Sequence, residues 1–220
     1  MINKFKDFIG NTENLKVLQN KILSKTIPNA FLFYGPSGLG KKTLAYIFSA
    51  SLNCMNRSDK DAEPCGICSN CKRIFTDTYP DVKLITREPD RASISIEQVR
   101  EIKKQAYQTS YEGRYKVYII DDSKDLKDAS NALLKLIEEP PKETLFILLT
   151  DNLMKQLPTI ISRCQVMKFQ KLTESELKKF IQGNYPELLE EERLINLLSG
   201  GSPGEILKFS SEGVLCHAFV

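Results

Sequence analysis

The chain has 220 residues, of which 41% are hydrophobic and 27% charged, and its formal net charge is +3. That length allows one large domain, or a mid-sized domain with a small one, and so small a positive excess does not by itself indicate a nucleic-acid partner. No apolar run approaches the ~20 residues needed to span a bilayer, and the opening MINKFKDFIG has no signal-type apolar core, so a cytoplasmic protein without membrane partners is expected.

In chain order, Asn11 or Thr12 can cap a first helix whose apolar face is Leu15, Leu18 and Ile22. Residues 30–34, AFLFY, read as a buried strand, followed by a glycine-rich loop and a helix from about Lys41 to Leu52. A polar, cysteine-bearing insertion occupies 54–71, and VKLIT at 82–86 is a second strand. Ser95 and Gln98 frame a capping box that opens a helix with Val99, Ile102 and Ala106 on one face. KVYIID at 116–121 is a third strand, and the helix at 128–139 is stopped by Pro140-Pro141. TLFILLT at 144–150 is a fourth strand, TIISRC a helical turn, and QVMKF at 165–169 a fifth strand.

Continuous apolar strands alternating with helices predict an α/β fold with a five-stranded parallel sheet covered on both faces. After Lys171 the pattern becomes helical. Thr173-x-x-Glu176 opens one amphipathic helix, 187–198 reads as another, and Ser202-Pro203-Gly204 begins a third. The expected division is a nucleotide-binding-type domain at 1–171 and a small helical lid domain at 172–220.

Gly35-Pro36-Ser37-Gly38-Leu39-Gly40-Lys41 has the G-x-x-x-x-G-K spacing of a phosphate-binding loop, between a strand and a helix as that motif requires. The glycines let backbone N–H groups converge on phosphate oxygens, the helix N-terminus adds its dipole, and Lys41 reaches the outer phosphates. The next residue is normally Ser or Thr, whose hydroxyl binds Mg²⁺. Here it is Lys42, a cation that only donates hydrogen bonds and repels a metal. Thr43 is rotated about 100° further around the helix and is not expected to reach the ion. ATP or ADP can therefore occupy the pocket, while its Mg²⁺ site is expected to be damaged. The strand VYIIDD at 117–122 resembles a Walker B strand, with Asp121 at the metal-binding position. Asp122 stands where such ATPases commonly carry Glu to polarise water. It is one methylene shorter, and a ~1 Å misplacement can cost about a hundredfold in rate.

Cys54, Cys65, Cys68 and Cys71 give C-x10-C-x2-C-x2-C, a spacing that can close a tetrahedron of thiolates around a structural Zn²⁺. A redox Cys65-x-x-Cys68 pair is the weaker reading, because a third cysteine follows at equal spacing and no thioredoxin-like strand precedes it. An iron–sulfur cluster is weaker still. The insertion itself is too polar to bury a core of its own. Cys164 and Cys216 stand apart and read as small hydrophobes.

The glycine loop, the four-cysteine insertion after its helix, NALLKLIEEPP at 131–141 and ISRC at 161–164 occur in that order. The combination resembles the AAA+ subunits of the bacterial DNA polymerase III clamp loader. Two members compete: the ATP-hydrolysing gamma/tau motor and the delta-prime stator, whose nucleotide motifs are typically weakened. Lys42, Asp122 and the absence of an arginine after Gly201-Ser202-Pro203-Gly204 favour delta-prime. The resemblance implies that Arg163, in Ser-Arg-Cys, points into a neighbouring subunit's ATP site as an arginine finger, a device worth ~10³–10⁵ in rate. It implies weak or absent ATPase activity of the chain's own. The implied partners are gamma/tau and delta, and through the complex the sliding clamp and primer-template DNA. Thr150-Asp151-Asn152 falls near the family's first sensor position. The family's helical collar domain would follow residue 210, so stable ring assembly by this chain alone is not expected. Two rival readings stay open: a gamma/tau-type motor, and a zinc-dependent nucleic-acid-binding module in which Asp59, Asp61 and Glu63 nearly cancel Lys60, Lys72 and Arg73.

Overall fold

The computed structural model of the chain describes residues 2–91, 94–121, 130–186 and 200–206. Its strands are β1 (Ala30–Tyr34), β2 (Val82–Ile85), β3 (Lys116–Ile120), β4 (Thr144–Thr150) and β5 (Gln165–Lys168). The helices are α1 (Thr12–Ser24), α2 (Lys41–Asn53), α3 (Ser69–Phe75), α4 (Ile96–Ala106), α5 (Ser130–Glu138), α6 (Pro158–Ile161) and α7 (Glu174–Asn184). All five strands lie parallel in the order β2-β3-β4-β1-β5, with Ala30 beside Phe146 and Tyr34 beside both Thr150 and Lys168.

The apolar strand runs follow from burial on both faces. Phe31, Phe33, Val117, Ile119, Leu145 and Ile147 turn to one side, into a core with Leu18 of α1, Phe48 of α2 and Ile74 of α3. Leu32, Tyr118, Ile120, Phe146 and Leu148 turn to the other, against Val99 and Ile102 of α4 and Leu133, Leu136 and Ile137 of α5. Each such side chain contributes roughly 1.5–3 kcal/mol on burial. A third cluster joins Leu177, Phe180 and Ile181 of α7 to Leu172 and Ile206, with Ile2 and Ile9 packed on it.

The capping boxes expected at Ser95/Gln98 and Thr173/Glu176 are both formed. One expectation needs correction. Asn11 stands at the N-cap of α1, its carbonyl accepting the Leu15 N–H, but its side chain makes no capping bond: the backbone is left-handed, and the side chain accepts from the Gln170 N–H at 2.8 Å and donates to the Gln170 carbonyl at 3.2 Å. That clamp holds the start of α1 to the segment after β5. The cysteine-bearing insertion, too polar for a core of its own, packs on the main one: it contains the start of α3, and its Ala62 and Cys71, with Ile74 just beyond it, bury into the same core as α1 and α2. Residues 187–198, read as a lid helix, lie outside the described residues, as do Asp122 and Cys216.

Parallel strands place all their carboxyl ends on one edge, and β3, β4 and β1 are neighbours. Asp121, Thr150-Asp151 and Gly35 are thereby gathered at one rim. Gly35 has φ 147°, and a Cβ there would lie 2.5 Å from the Phe169 carbonyl oxygen, so only glycine turns the chain out of β1 at this point.

Candidate functional site

The loop after β1 opens into a cavity of about 680 Å³, within the range of small-molecule sites. One side is formed by Ser37 to Thr43 with Asp121, and the other by Ile2, Phe8, Ile9, Phe180 and Tyr185. A polar end therefore meets an apolar slot, the division a phosphate tail and a base require. Gly35, Gly38 and Gly40 all have positive φ, the geometry that turns successive loop amides toward one point. Lys41 donates to the carbonyls of Gly35 and Pro36, bracing the loop from within. Burial lowers the Lys41 pKa, opposed by the charges of Asp151 and Asp121. Asp151 and Lys41 also share an adjoining cleft with Thr86, Arg87 and Asp121. In the Thr150-Asp151-Asn152 stretch, the Thr150 hydroxyl accepts from Asn152 N–H and the Gln156 carboxamide, and Asn152 caps the turn at Leu153–Lys155.

Beside Asp121, where the sequence reading expects a metal, the structure places a cationic side chain. Lys42 Nζ lies 3.6 Å from Asp121 Oδ2, with the two side chains 51% and 37% exposed. While Lys42 stays on the carboxylate, a divalent ion brought to ~4 Å from its ammonium meets a repulsion of about 2 kcal/mol in bulk-water dielectric and about 8 kcal/mol at an effective dielectric of 20. Lys42 also offers no oxygen in place of the usual hydroxyl. The side chains at this point therefore do not complete a Mg²⁺ site.

The segment 200–206 closes the loop from above. Gly204 N–H donates to the Gly38 carbonyl at 2.9 Å, and the Ser202 hydroxyl to that of Ser37 at 3.2 Å. A Cβ on Gly204 would lie 2.5 Å from Gly38 Cα, so no side chain fits between the two backbones.

Arg163 is elsewhere. It follows α6, where its Nε donates to Glu138 and its Nη1 to the Thr159 carbonyl at 3.0 Å and the Ser162 hydroxyl at 3.3 Å. It lines an open cleft with Asn29, which precedes β1, whereas the glycine loop follows β1. Five residues at ~3.3 Å each put roughly 17 Å between the two, so Arg163 does not reach its own chain's loop.

Cys54, Cys65, Cys68 and Cys71 converge, with all four Sγ atoms within 4.8 Å of one another. Zn–S bonds of about 2.3 Å make tetrahedral S···S edges of about 3.8 Å, so small side-chain rotations close the group on one ion. Backbone N–H groups of Cys65, Cys68 and Cys71 point at the sulfurs of Cys54, Cys65 and Cys68 at 3.4, 3.3 and 3.5 Å. Burial opposes ionisation of Cys68, but N–H bonds from Cys71 and Met55 outweigh it and bring the thiol to about 7. Burial pushes Cys54 and Cys71 up. Four thiolates so close ionise together only around a cation, and these four could hold a metal ion. Cys164 is no ligand: burial pushes it up to about 12, and it packs on the α4–α5 core.

Glu63, expected only to offset the nearby Lys60, Lys72 and Arg73, accepts the N–H groups of Phe5 and Lys6 at 2.9 and 3.0 Å. It thereby ties the cysteine module to the N-terminal segment whose Ile2, Phe8 and Ile9 line the cavity. Arg73 pairs with Glu112 at 2.6 Å and stacks over Tyr79, and Lys25 pairs with Asp59, so much of the module's charge is used within the fold. Asp81, also missed, is 3% exposed and accepts N–H bonds from Tyr111, Glu112 and Gly113, shaping the turn before β3.

A family model described as "DNA polymerase III, delta subunit" matches residues 10–173. The chain is 38% identical over 159 residues to the DNA polymerase III subunit delta' of Bacillus subtilis, which covers 72% of this chain and 47% of that protein. It is 38% identical over 193 residues to the subunit tau of the same organism, covering 87% of this chain and 32% of that one. The chain thus spans half or less of the length of these relatives. A solved structure of Thermotoga maritima RuvB superposes with a TM-score of 0.66 at 17% identity, over 96% of this chain and 63% of that one, and shows a shared AAA+ fold.

Proposed function

The chain belongs to the DNA polymerase III clamp-loader family of delta-prime, gamma and tau subunits, and from that premise we propose that it is the delta-prime-type stator of the complex. In this reading it retains the architecture of an ATPase in order to pack against ATPases. Its partners are gamma/tau and delta subunits, which load the sliding clamp onto primer-template DNA. The observation that carries the reading is the Lys42–Asp121 pair at the position where a motor needs its metal ion.

Arg163 is the group the stator donates, by the family resemblance. Its place at the far end of β1 from its own loop supports action on a neighbour rather than in cis. The ion pair with Glu138 holds the guanidinium until a competing anion is presented; at 37% and 41% exposure such a pair contributes at most about 1 kcal/mol and is readily exchanged. Zinc is the metal we assign to the four cysteines. With four protein ligands no position remains open for chemistry, so the ion's contribution is to fold the module. The division into a domain at 1–171 and a lid at 172–220 is part of the same proposal.

The test is a reconstituted loader in which this subunit carries Arg163→Ala. DNA-stimulated ATP turnover is expected to fall by about 10³-fold at the dependent site while the subunit stays folded. Unchanged turnover removes the mechanism. The gamma/tau-type motor is the second reading, favoured by the complete Gly35–Lys41 loop and the cavity beside it. Steady ATP hydrolysis by the purified chain, abolished by Lys41→Ala, selects it.

A further inference from the structure

We infer that the loop site takes a nucleoside polyphosphate without a divalent cation, the Lys42 ammonium supplying the counter-charge. The inference rests on reading 35–41 as a phosphate-binding loop. Lys42 is the second residue of α2 and lines the same cavity as Lys41, Ser37 and Gly38. Asp121, at the end of β3, draws its Nζ to the rim of the sheet, 3.6 Å from the carboxylate. The first turn of α2 carries no acidic residue, so two ammonium groups and the helix N-terminus act together on one phosphate chain.

An ammonium at this point donates N–H bonds to phosphate oxygens and neutralises their charge. It has no vacant coordination position, so it neither polarises the phosphoryl group as a Lewis acid nor lowers the pKa of a water. The site then holds nucleotide without activating it. A nucleotide arriving with its own Mg²⁺ brings a second cation to a place already taken, whereas the metal-free form meets complementary charge. The apolar side formed by Phe8, Ile9 and Tyr185 provides the base with a slot that does not depend on the metal.

The experiment is a titration of the chain with ADP, by calorimetry or by anisotropy of a fluorescent analogue, once in EDTA and once in excess Mg²⁺. Wild type is expected to bind equally well or more weakly with Mg²⁺. Lys42→Thr, at an exposed position that leaves the fold intact, is expected to lose about tenfold in EDTA and to regain tenfold or more on adding Mg²⁺. A wild-type chain that binds tenfold tighter with Mg²⁺ overturns the inference and leaves the phosphate-loop reading standing. So does a wild-type chain that binds nothing while Lys42→Thr binds ADP with Mg²⁺. Absence of binding by both chains under both conditions overturns the loop reading itself.

Discussion

Lys42 and Asp121 face each other at 3.6 Å across the space where a P-loop ATPase holds its metal. One comes from the first turn of α2 and the other from the end of β3, and the parallel sheet brings them together. Because both are substantially exposed, the pair is worth at most about 1 kcal/mol to the fold. Asp121→Asn is therefore expected to leave the urea midpoint nearly unchanged, with a stability loss below about 1 kcal/mol. A loss above 2 kcal/mol would show that the carboxylate serves the fold rather than the cavity.

Removal of the metal is expected to act at a distance. Cys71 and Ile74 belong to the main core, and Glu63 carries the module onto Phe5 and Lys6. Chelation, or Cys71→Ser, should release one zinc ion per chain. It should speed hydrogen exchange in 54–75 and also in 2–9, while β1, β3 and β4 stay protected. Metal content with exchange mass spectrometry checks this. Acceleration confined to 54–75 would contradict the coupling.

Glu63→Ala isolates the tie from the metal. Two backbone N–H groups lose a charged acceptor at a half-buried position, an expected cost of about 1–3 kcal/mol. ADP affinity should fall with it, since Ile2, Phe8 and Ile9 are no longer held over the loop. Thermal unfolding and the same ADP titration measure both effects. A destabilised variant with unaltered affinity would separate the N-terminal segment from the cavity.

Gly204→Ala tests the closure over the loop. Its Cβ has no room against Gly38 Cα, so either the 200–206 segment lifts or the loop shifts. The cost of such overpacking is typically about 1–3 kcal/mol. Limited proteolysis near residue 200 should become faster, and the variant should melt lower than wild type. Equal proteolysis and equal melting would mean that the two backbones are not in contact in solution.

The parts of the molecule that were legible in the sequence are those encoded locally. AFLFY, KVYII and TLFILLT are buried on both faces and so read as unbroken apolar runs; the glycine loop and the cysteine spacing are contiguous signals with few competing meanings. Ser95 and Thr173 announce their helices because a capping box lies within four residues. The rest depends on partners far away in the chain. Asn11 finds Gln170 at a separation of 159 residues, Glu63 finds Phe5 at 58 and Ser202 finds Ser37 at 165, and no local pattern specifies such pairs. Helix α3 has no clear sequence signal because SNCKRIF is only 7 residues long and polar on its outer side. Lys42 and Asp121 were each conspicuous alone, but the salt bridge between them required the sheet.

The most direct measurement is phosphate release from Mg·ATP by the purified chain. We predict no turnover above background by wild type, whether or not DNA is added, because the cation at the metal position cannot activate a phosphoryl group or a water. Sustained hydrolysis by wild type that disappears in Lys41→Ala would mean that this subunit runs its own ATPase cycle, and the stator account would be wrong.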